Sequence, residues 1–199
     1  MKKRTGIFGG SFDPVHSGHI ALAHSFLDSG LIHNLLVLLT PEAPHKQGRN
    51  KTPYKNRLAM LKLAFEGIEN VEISTLETQL PEPSFTLQTI EYLQKNHPGT
   101  LFYLCMGEDS LVHFHQWHKF REILKRVDLI VAERPGYDYR CVSEEILESV
   151  IMVDHRPVDA SSTDVREQLK RESSGIKKEI QLPEPVWQYI EKKGLYGRG

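Results

Sequence analysis

The sequence predicts an α/β fold: an open parallel sheet with helices on both faces and a C-terminal helical portion. Two observations carry that expectation. Short apolar, β-rich runs alternate with stretches of helical periodicity along the chain, as in a parallel sheet whose strands are joined by crossover helices. A length of 199 residues suits one such unit, expected to span residues 1–199 as a single domain.

The elements follow in order. Thr5-Gly6-Ile7-Phe8 reads as a buried first strand, closed by Gly9 and Gly10. Residues 20–27 repeat apolar side chains at helical spacing and give the first helix. Apolar runs at 35–39, 71–74, 101–105, 127–132 and 150–153 read as later strands, with a five-stranded parallel core expected. Helices are expected at 53–66, 84–96 and 120–125, then at 161–171 and 184–192. No internal repeat or low-complexity tract interrupts the pattern.

Composition narrows the classes of function. The formal net charge of −1 gives no global pull towards nucleic acid or a membrane surface, so neither is an expected partner. Phosphate binding must then come from local placement of Lys, Arg, His and backbone N–H groups. No apolar segment approaches the roughly 20 residues a bilayer span needs. Met-Lys-Lys-Arg leads straight into the first strand without the apolar core of a signal peptide. Cys105 and Cys141 are far apart and form no Cys-x-x-Cys pair, which argues against a disulfide framework. The cytoplasm is the expected compartment, and self-association into a homo-oligomer is left open.

The chemistry concentrates in the run Gly9-Gly10-Ser11-Phe12-Asp13-Pro14-Val15-His16-Ser17-Gly18-His19. It closes a strand and opens a helix, whose N-terminus offers unpaired N–H groups and the positive end of the macrodipole to an anion. Glycines there let a large ligand approach the backbone. His16 and His19, three apart on one helix face, can address that ligand together. The run is neither a dinucleotide fingerprint, which needs a third glycine, nor a P-loop, which needs Gly-Lys-Ser/Thr. It reads as a polyphosphate site with two imidazoles aimed at it.

Other blocks each carry two readings. Lys46, in the polar, proline-broken loop after the second strand, is either solvated or a point charge on phosphate. Ser161-Ser162-Thr163, with Arg166 one turn on, is either an ordinary helix cap or a second phosphate-binding N-terminus. Asp109, after Gly107 at the end of the fourth strand, either caps a helix or accepts hydrogen bonds from ribose hydroxyls. Trp117 is either core or a platform on which an aromatic ring stacks. Arg57, from its helical setting, reads as a structural or rim residue outside the site. His113, His115 and His118 do not have the spacing of a compact zinc site, and no protein-bound metal is expected.

The strand–His-x-Gly-His–helix run resembles the signature of the HIGH-motif nucleotidyltransferase superfamily. Pro44-His45-Lys46, Gly107-Glu108-Asp109, Trp117, Arg134-Pro135-Gly136 and Ser161-Ser162-Thr163-Asp164-Val165-Arg166 follow in order over nearly the whole chain. In this arrangement the chain is similar to the bacterial nicotinate-nucleotide adenylyltransferases. The resemblance implies a Rossmann-like sheet and transfer of AMP from ATP to nicotinate mononucleotide, giving deamido-NAD and pyrophosphate in NAD biosynthesis. It implies His16, His19 and Lys46 as catalytic groups. ATP would be held by Gly9, Gly10, Ser11, Phe12, His16, Gly18 and His19, together with Arg134, Ser161, Ser162, Thr163 and Arg166. The acceptor would be held by Thr86, Gly107, Asp109 and Trp117, with Thr86 and nearby backbone donors facing the nicotinate carboxylate.

Mg²⁺ is expected as a substrate-bound cofactor held largely by the triphosphate, since it keeps waters and substrate oxygens as ligands. The acceptor phosphate is already ionised at neutral pH, so direct in-line displacement at the α-phosphorus is expected. Two alternatives remain: the same chemistry on nicotinamide mononucleotide or phosphopantetheine, and a non-catalytic nucleotide sensor.

Overall fold

A computed structural model describes residues 2–41, 52–133, 141–172 and 180–197. Six strands form one sheet: β1 (Lys3–Gly10), β2 (Asn34–Leu39), β3 (Val71–Ser74), β4 (Thr100–Gly107), β5 (Asp128–Glu133) and β6 (Val150–Asp154). Their order is β3-β2-β1-β4-β5-β6, and every pairing is parallel. The expected five-stranded core is therefore one strand short. The sixth run pairs with β5 in the register Ile130↔Ile151, and it is the more weakly buried, edge position that the last strand takes.

The main helices are α1 (Ser17–Asp28), α2 (Tyr54–Phe65), α3 (Thr86–Asn96), α4 (Glu108–Val112), α5 (Phe120–Leu124), α6 (Glu144–Leu147), α7 (Ser162–Glu172) and α8 (Glu184–Lys193). The expected helices are all present, with ends within a few residues. α4, of five residues, matches the helix left open after Gly107, whereas α6, of four, was not foreseen, because one turn is too short to show a 3.6-residue period.

Strand side chains alternate between two cores, as period-two geometry requires. Phe8, Leu35, Val37 and Ile130 face α1, α2, α7 and α8 through Phe26, Met60, Val165 and Val186. Ile7, Leu36, Leu38 and Leu129 face the opposite way, onto Leu87 and Ile90 of α3, Leu111 of α4, Ile123 of α5 and Ile146 of α6. Both faces are thus covered, which explains why the strands read as nearly continuous apolar runs.

The topology also fixes where a ligand can sit. From β1 the chain crosses to β2 on one side, and from β4 it crosses to β5 on the other. The strand order reverses between β1 and β4, and their C-terminal ends, Gly10 and Gly107, flank the crevice that such a switch point opens.

Candidate active site

The turn leaving β1 delivers two imidazoles to that crevice. His16 is the N-cap of α1, with extended φ and ψ, and His19 lies in the first turn. The His19 backbone N–H donates to the His16 carbonyl at 2.9 Å, and the His16 backbone N–H donates to His19 Nδ1 at 3.2 Å. Their ring centroids are 3.8 Å apart. Gly18 makes this packing possible: a Cβ there would stand 3.0 Å from His16 Nδ1. His19 also meets the Phe12 ring edge-on at 4.9 Å. Burial, and then the nearby His16, hold the His19 pKa well below its ordinary 6.5. With Nδ1 accepting, the neutral ring carries its proton on Nε2, a donor for phosphate oxygen.

Residues distant in sequence hold the turn in shape. Phe12 has a φ of 43°, in the left-handed region that side-chain-bearing residues enter only at a cost. Arg166 Nη1 donates to the Asp13 carbonyl at 2.6 Å, and Ser162 Oγ donates to the Pro14 carbonyl at 3.0 Å. The Asp13 carboxylate accepts from the Tyr196 hydroxyl at 2.6 Å and from the Thr52 N–H at 3.3 Å.

Arg57 supplies a second anchor. Only 2% exposed, it donates to the carbonyls of Ser11 (2.7 Å), Thr40 (3.0 Å), Pro41 (2.8 Å) and Thr52 (3.0 Å). A rigid guanidinium fork suits several carbonyls at fixed angles better than an ammonium would. The chain leaving β2 and the chain entering α2 are thereby tied to the phosphate-side turn.

The other side of the crevice is built from β4 and two ring-bearing segments. Gly107 ends β4 and N-caps α4, whose first turn places Asp109 at the surface. A Cβ on Gly107 would stand 2.8 Å from Asp109 Oδ1 and 3.8 Å from Leu22 of α1. Phe85, the N-cap of α3, stacks on His118 at 4.2 Å and 25°. That stack brings Thr86, at the start of α3, to the segment carrying Trp117. Trp117 is half-buried and leans on Phe114, with centroids 5.3 Å apart.

Comparison with known proteins settles the family. The cytidylyltransferase-like family model matches residues 7–168. The probable nicotinate-nucleotide adenylyltransferase of Geobacillus kaustophilus is 36% identical over 194 residues, covering 98% of this chain and 86% of that protein. The chain belongs to the nicotinate-nucleotide adenylyltransferase family. The probable member from Clostridium tetani is 34% identical over 203 residues, covering 98% of this chain and the whole of that one. The fold is shared more widely. The nicotinic acid mononucleotide adenylyltransferase of Plasmodium falciparum, solved with NaAD, superimposes with a TM-score of 0.82 at 21% identity, covering 99% of this chain and 98% of that one.

Measured against the family signature, the expected residues divide into three groups. His16, Gly18, His19, Ser162 and Arg166 gather around the turn that also carries Gly9, Gly10, Ser11 and Phe12. Thr86, Gly107, Asp109 and Trp117 form the opposite group. Lys46 and Arg134 lie outside the described residues. Ser161 acts as a cap: its hydroxyl donates to Asp164 at 2.6 Å and accepts the Asp164 N–H at 3.1 Å. Thr163 accepts from Arg166 Nη2 at 3.1 Å. Asp109 sits one residue inside α4, so Gly107 and not Asp109 occupies the N-cap.

The sequence reading missed Asp13, Arg57 and Tyr196 as residues that hold the turn. Arg57 did carry a signal. It begins the series 57, 60, 61, 64, 65 that α2 buries, so an arginine stands on the apolar stripe of an amphipathic helix. The expected rim placement is corrected accordingly, while the structural role stands. Asp13 and Tyr196 gave no such signal, because their partnership spans 183 residues.

Among the described residues no three His, Cys, Asp or Glu side chains cluster as metal ligands. The groups facing the turn are imidazoles, hydroxyls and N–H donors. Their chemistry fits phosphate oxygens. No helix among the described residues is long and apolar enough to cross a membrane.

Proposed function

We propose that this protein joins the AMP moiety of ATP to nicotinate mononucleotide, forming deamido-NAD and releasing pyrophosphate, with nucleotide and acceptor meeting across the β1–β4 crevice. The observation that carries the reading is the His16–His19 pair at the N-terminus of α1, set at the switch point of a sheet whose whole sequence belongs to the adenylyltransferase family. The chain acts as a single nucleotidyltransferase domain in the cytoplasm. Neither Cys105 nor Cys141 is joined in a disulfide, consistent with a reducing compartment.

The residues take the following parts. The glycine-lined end of β1 and the positive end of the α1 macrodipole receive the triphosphate. His19, neutral with its proton on Nε2, donates to a phosphate oxygen, and His16 faces the same charge. The negative triphosphate favours the charged form of the His19 ring, so positive charge is supplied where it is needed. Ser162, Thr163 and Arg166, at the start of α7, close the phosphate side, with Lys46 and Arg134 adding charge. Mg²⁺ bound with ATP would be held by the triphosphate oxygens and would supply positive charge there.

On the acceptor side, Trp117 stacks on the pyridine ring, Asp109 receives ribose hydroxyls, and Thr86 donates to the carboxylate. An oxygen of the acceptor phosphate attacks the α-phosphorus. The bond from that phosphorus to the α,β-bridging oxygen breaks, and its electron pair leaves with pyrophosphate. The protein contributes position and charge stabilisation rather than a covalent intermediate.

Purified protein with ATP and Mg²⁺ tests this against a panel of nicotinate mononucleotide, nicotinamide mononucleotide and phosphopantetheine. Pyrophosphate should appear only with an acceptor present, and fastest with the acid nucleotide, since a site built for one polar group rejects an analogue that leaves groups unpaired. Equal kcat/KM for acid and amide would reduce the enzyme to dual specificity. Release without any acceptor, or none with all three, would refute the reading. ATP made chiral at the α-phosphorus should give inverted product.

A further inference from the structure

We propose that Tyr196 is a positioning residue for the catalytic turn: through the Asp13 carboxylate, its hydroxyl sets where His16 and His19 stand. The proposal rests on the adenylyl-transfer reading above and adds to it a residue that never touches substrate.

The turn cannot hold itself. Phe12 occupies the left-handed region, and its conformation persists only where surroundings over-determine it. Two carbonyls are held by α7, through Arg166 on Asp13 and Ser162 on Pro14. Arg57 holds the Ser11 carbonyl, and the side chain of Asp13 is a further handle. At 8% exposure its carboxylate needs donors, and a buried anion short of them is costly. Thr52 N–H serves Oδ2 at 3.3 Å, a long bond, while Tyr196 serves Oδ1 at 2.6 Å, a short, charge-assisted one. The tyrosine is thus the stronger of the two donors.

Tyr196 is itself built for this. It lies in the single 3₁₀ turn Leu195–Gly197 with φ 58° and ψ 31°, a conformation that strains a side-chain-bearing residue. Leu195 and Tyr196 pack against the core shared by α1, α2, α7 and α8. A strained tyrosine with its ring against that core delivers a hydroxyl to one carboxylate oxygen. Asp13 is separated from His16 only by Pro14 and Val15, and Val15 is fully buried. A shift of Asp13 therefore reaches the N-cap of α1 with little to absorb it, and misplacement well below 1 Å is costly in rate.

A tail that only stabilises the fold would lower thermal stability and leave each folded molecule fully active. Three measurements separate the two roles. In Tyr196→Phe, kcat at saturating ATP and nicotinate mononucleotide should fall about tenfold, with KM for nicotinate mononucleotide within about twofold of wild type. The imidazole ¹H–¹⁵N signals of His16 and His19 should shift in the substrate-free variant. In an Asp13→Ala background, adding Tyr196→Phe should change kcat no further, because the carrier is already gone.

Unshifted ring signals in Tyr196→Phe, or kcat within twofold of wild type, would overturn the proposal whatever happens to Tm. An equal fold-loss in both backgrounds would remove Asp13 as the link and overturn it too. The ring signals need no turnover. A wild-type protein that releases no pyrophosphate would sink the adenylyl-transfer reading while this test still ran.

Discussion

The two sides of the crevice are constructed differently. The phosphate side is a turn of strained backbone held from several distant parts of the chain: residues 52 and 57, the start of α7, and Tyr196. His16 and His19 are packed against each other, and His19 also against Phe12. The acceptor side is assembled from short local pieces, α4, a 3₁₀ turn at Phe114–Gln116 and the first residue of α3. Its candidate recognition groups are exposed or half-exposed, and its two segments meet through the Phe85–His118 ring stack and the core shared by Leu87, Leu111 and Phe114. The side proposed to stabilise developing charge is tightly held, whereas the side proposed to receive the acceptor nucleotide is open. Preset donors are effective in a transition state because they need no reorganisation when charge appears.

The largest expected effect tests the preset side. His19→Ala should lower kcat by roughly 10²–10³, about 2.7–4 kcal/mol, the scale for one donor aimed at transition-state charge. KM for ATP should move far less. Steady-state kinetics decide it, and a variant that loses affinity while keeping kcat would show the imidazole to be a ground-state binder.

Arg57→Met probes the anchoring behind that side. It leaves the carbonyls of Ser11, Thr40, Pro41 and Thr52 without this donor, at a cost of roughly 3 kcal/mol in unfolding free energy. Arg57→Lys should recover only part of this, because one ammonium cannot span four carbonyls set for a planar fork. Urea unfolding of both variants is the measurement. Full recovery by lysine would mean that charge, and not geometry, is what the site requires.

How much was legible in the sequence follows the same divide. Strand positions were readable because both sheet faces are covered, which leaves apolar runs such as 35–39 and 127–132. The His-x-Gly-His turn was readable because local sequence alone places it between a strand and a helix. Thr86, Gly107, Asp109 and Trp117 were nameable from resemblance, but only the Phe85–His118 stack shows how the first segment meets the last. The anchors were not readable. Asp13 sat inside the motif with no sign of what it bonds, and Tyr196 and Thr52 have no local pattern that points to it. Long-range hydrogen bonds leave no period in a sequence. Arg57 was the exception, an arginine on an apolar stripe, and the stripe was the clue.

A milder test uses pH. The folded state holds the His19 pKa below 6.5, so below pH 6.5 the unfolded chain takes up a proton that the folded one refuses. Stability from this group is therefore fully present above about pH 6.5 and falls as pH drops towards the lowered folded value, by at most about 1.4 kcal/mol per pH unit. Unfolding free energies at pH 7 and 5.5 should differ less in His19→Gln than in wild type. An identical difference in both would place the acid sensitivity elsewhere. Added triphosphate should flatten the wild-type profile, since it favours the protonated His19 ring.

The smallest expected effect belongs to the open side. Trp117 is half-buried and tilted at 51° against Phe114, so its indole is partly held in place. That is the state in which an aromatic platform contributes most for least ordering cost. Trp117→Ala should raise KM for nicotinate mononucleotide roughly two- to tenfold, matching the 0.5–1.5 kcal/mol of an aromatic pair. KM for ATP and kcat should stay near wild type, because stacking acts equally in ground and transition states. Trp117→Phe should restore most of the affinity. A collapse of kcat at unchanged KM would instead make the indole part of the preset machinery, and the contrast between the two sides of the crevice would fail at that residue.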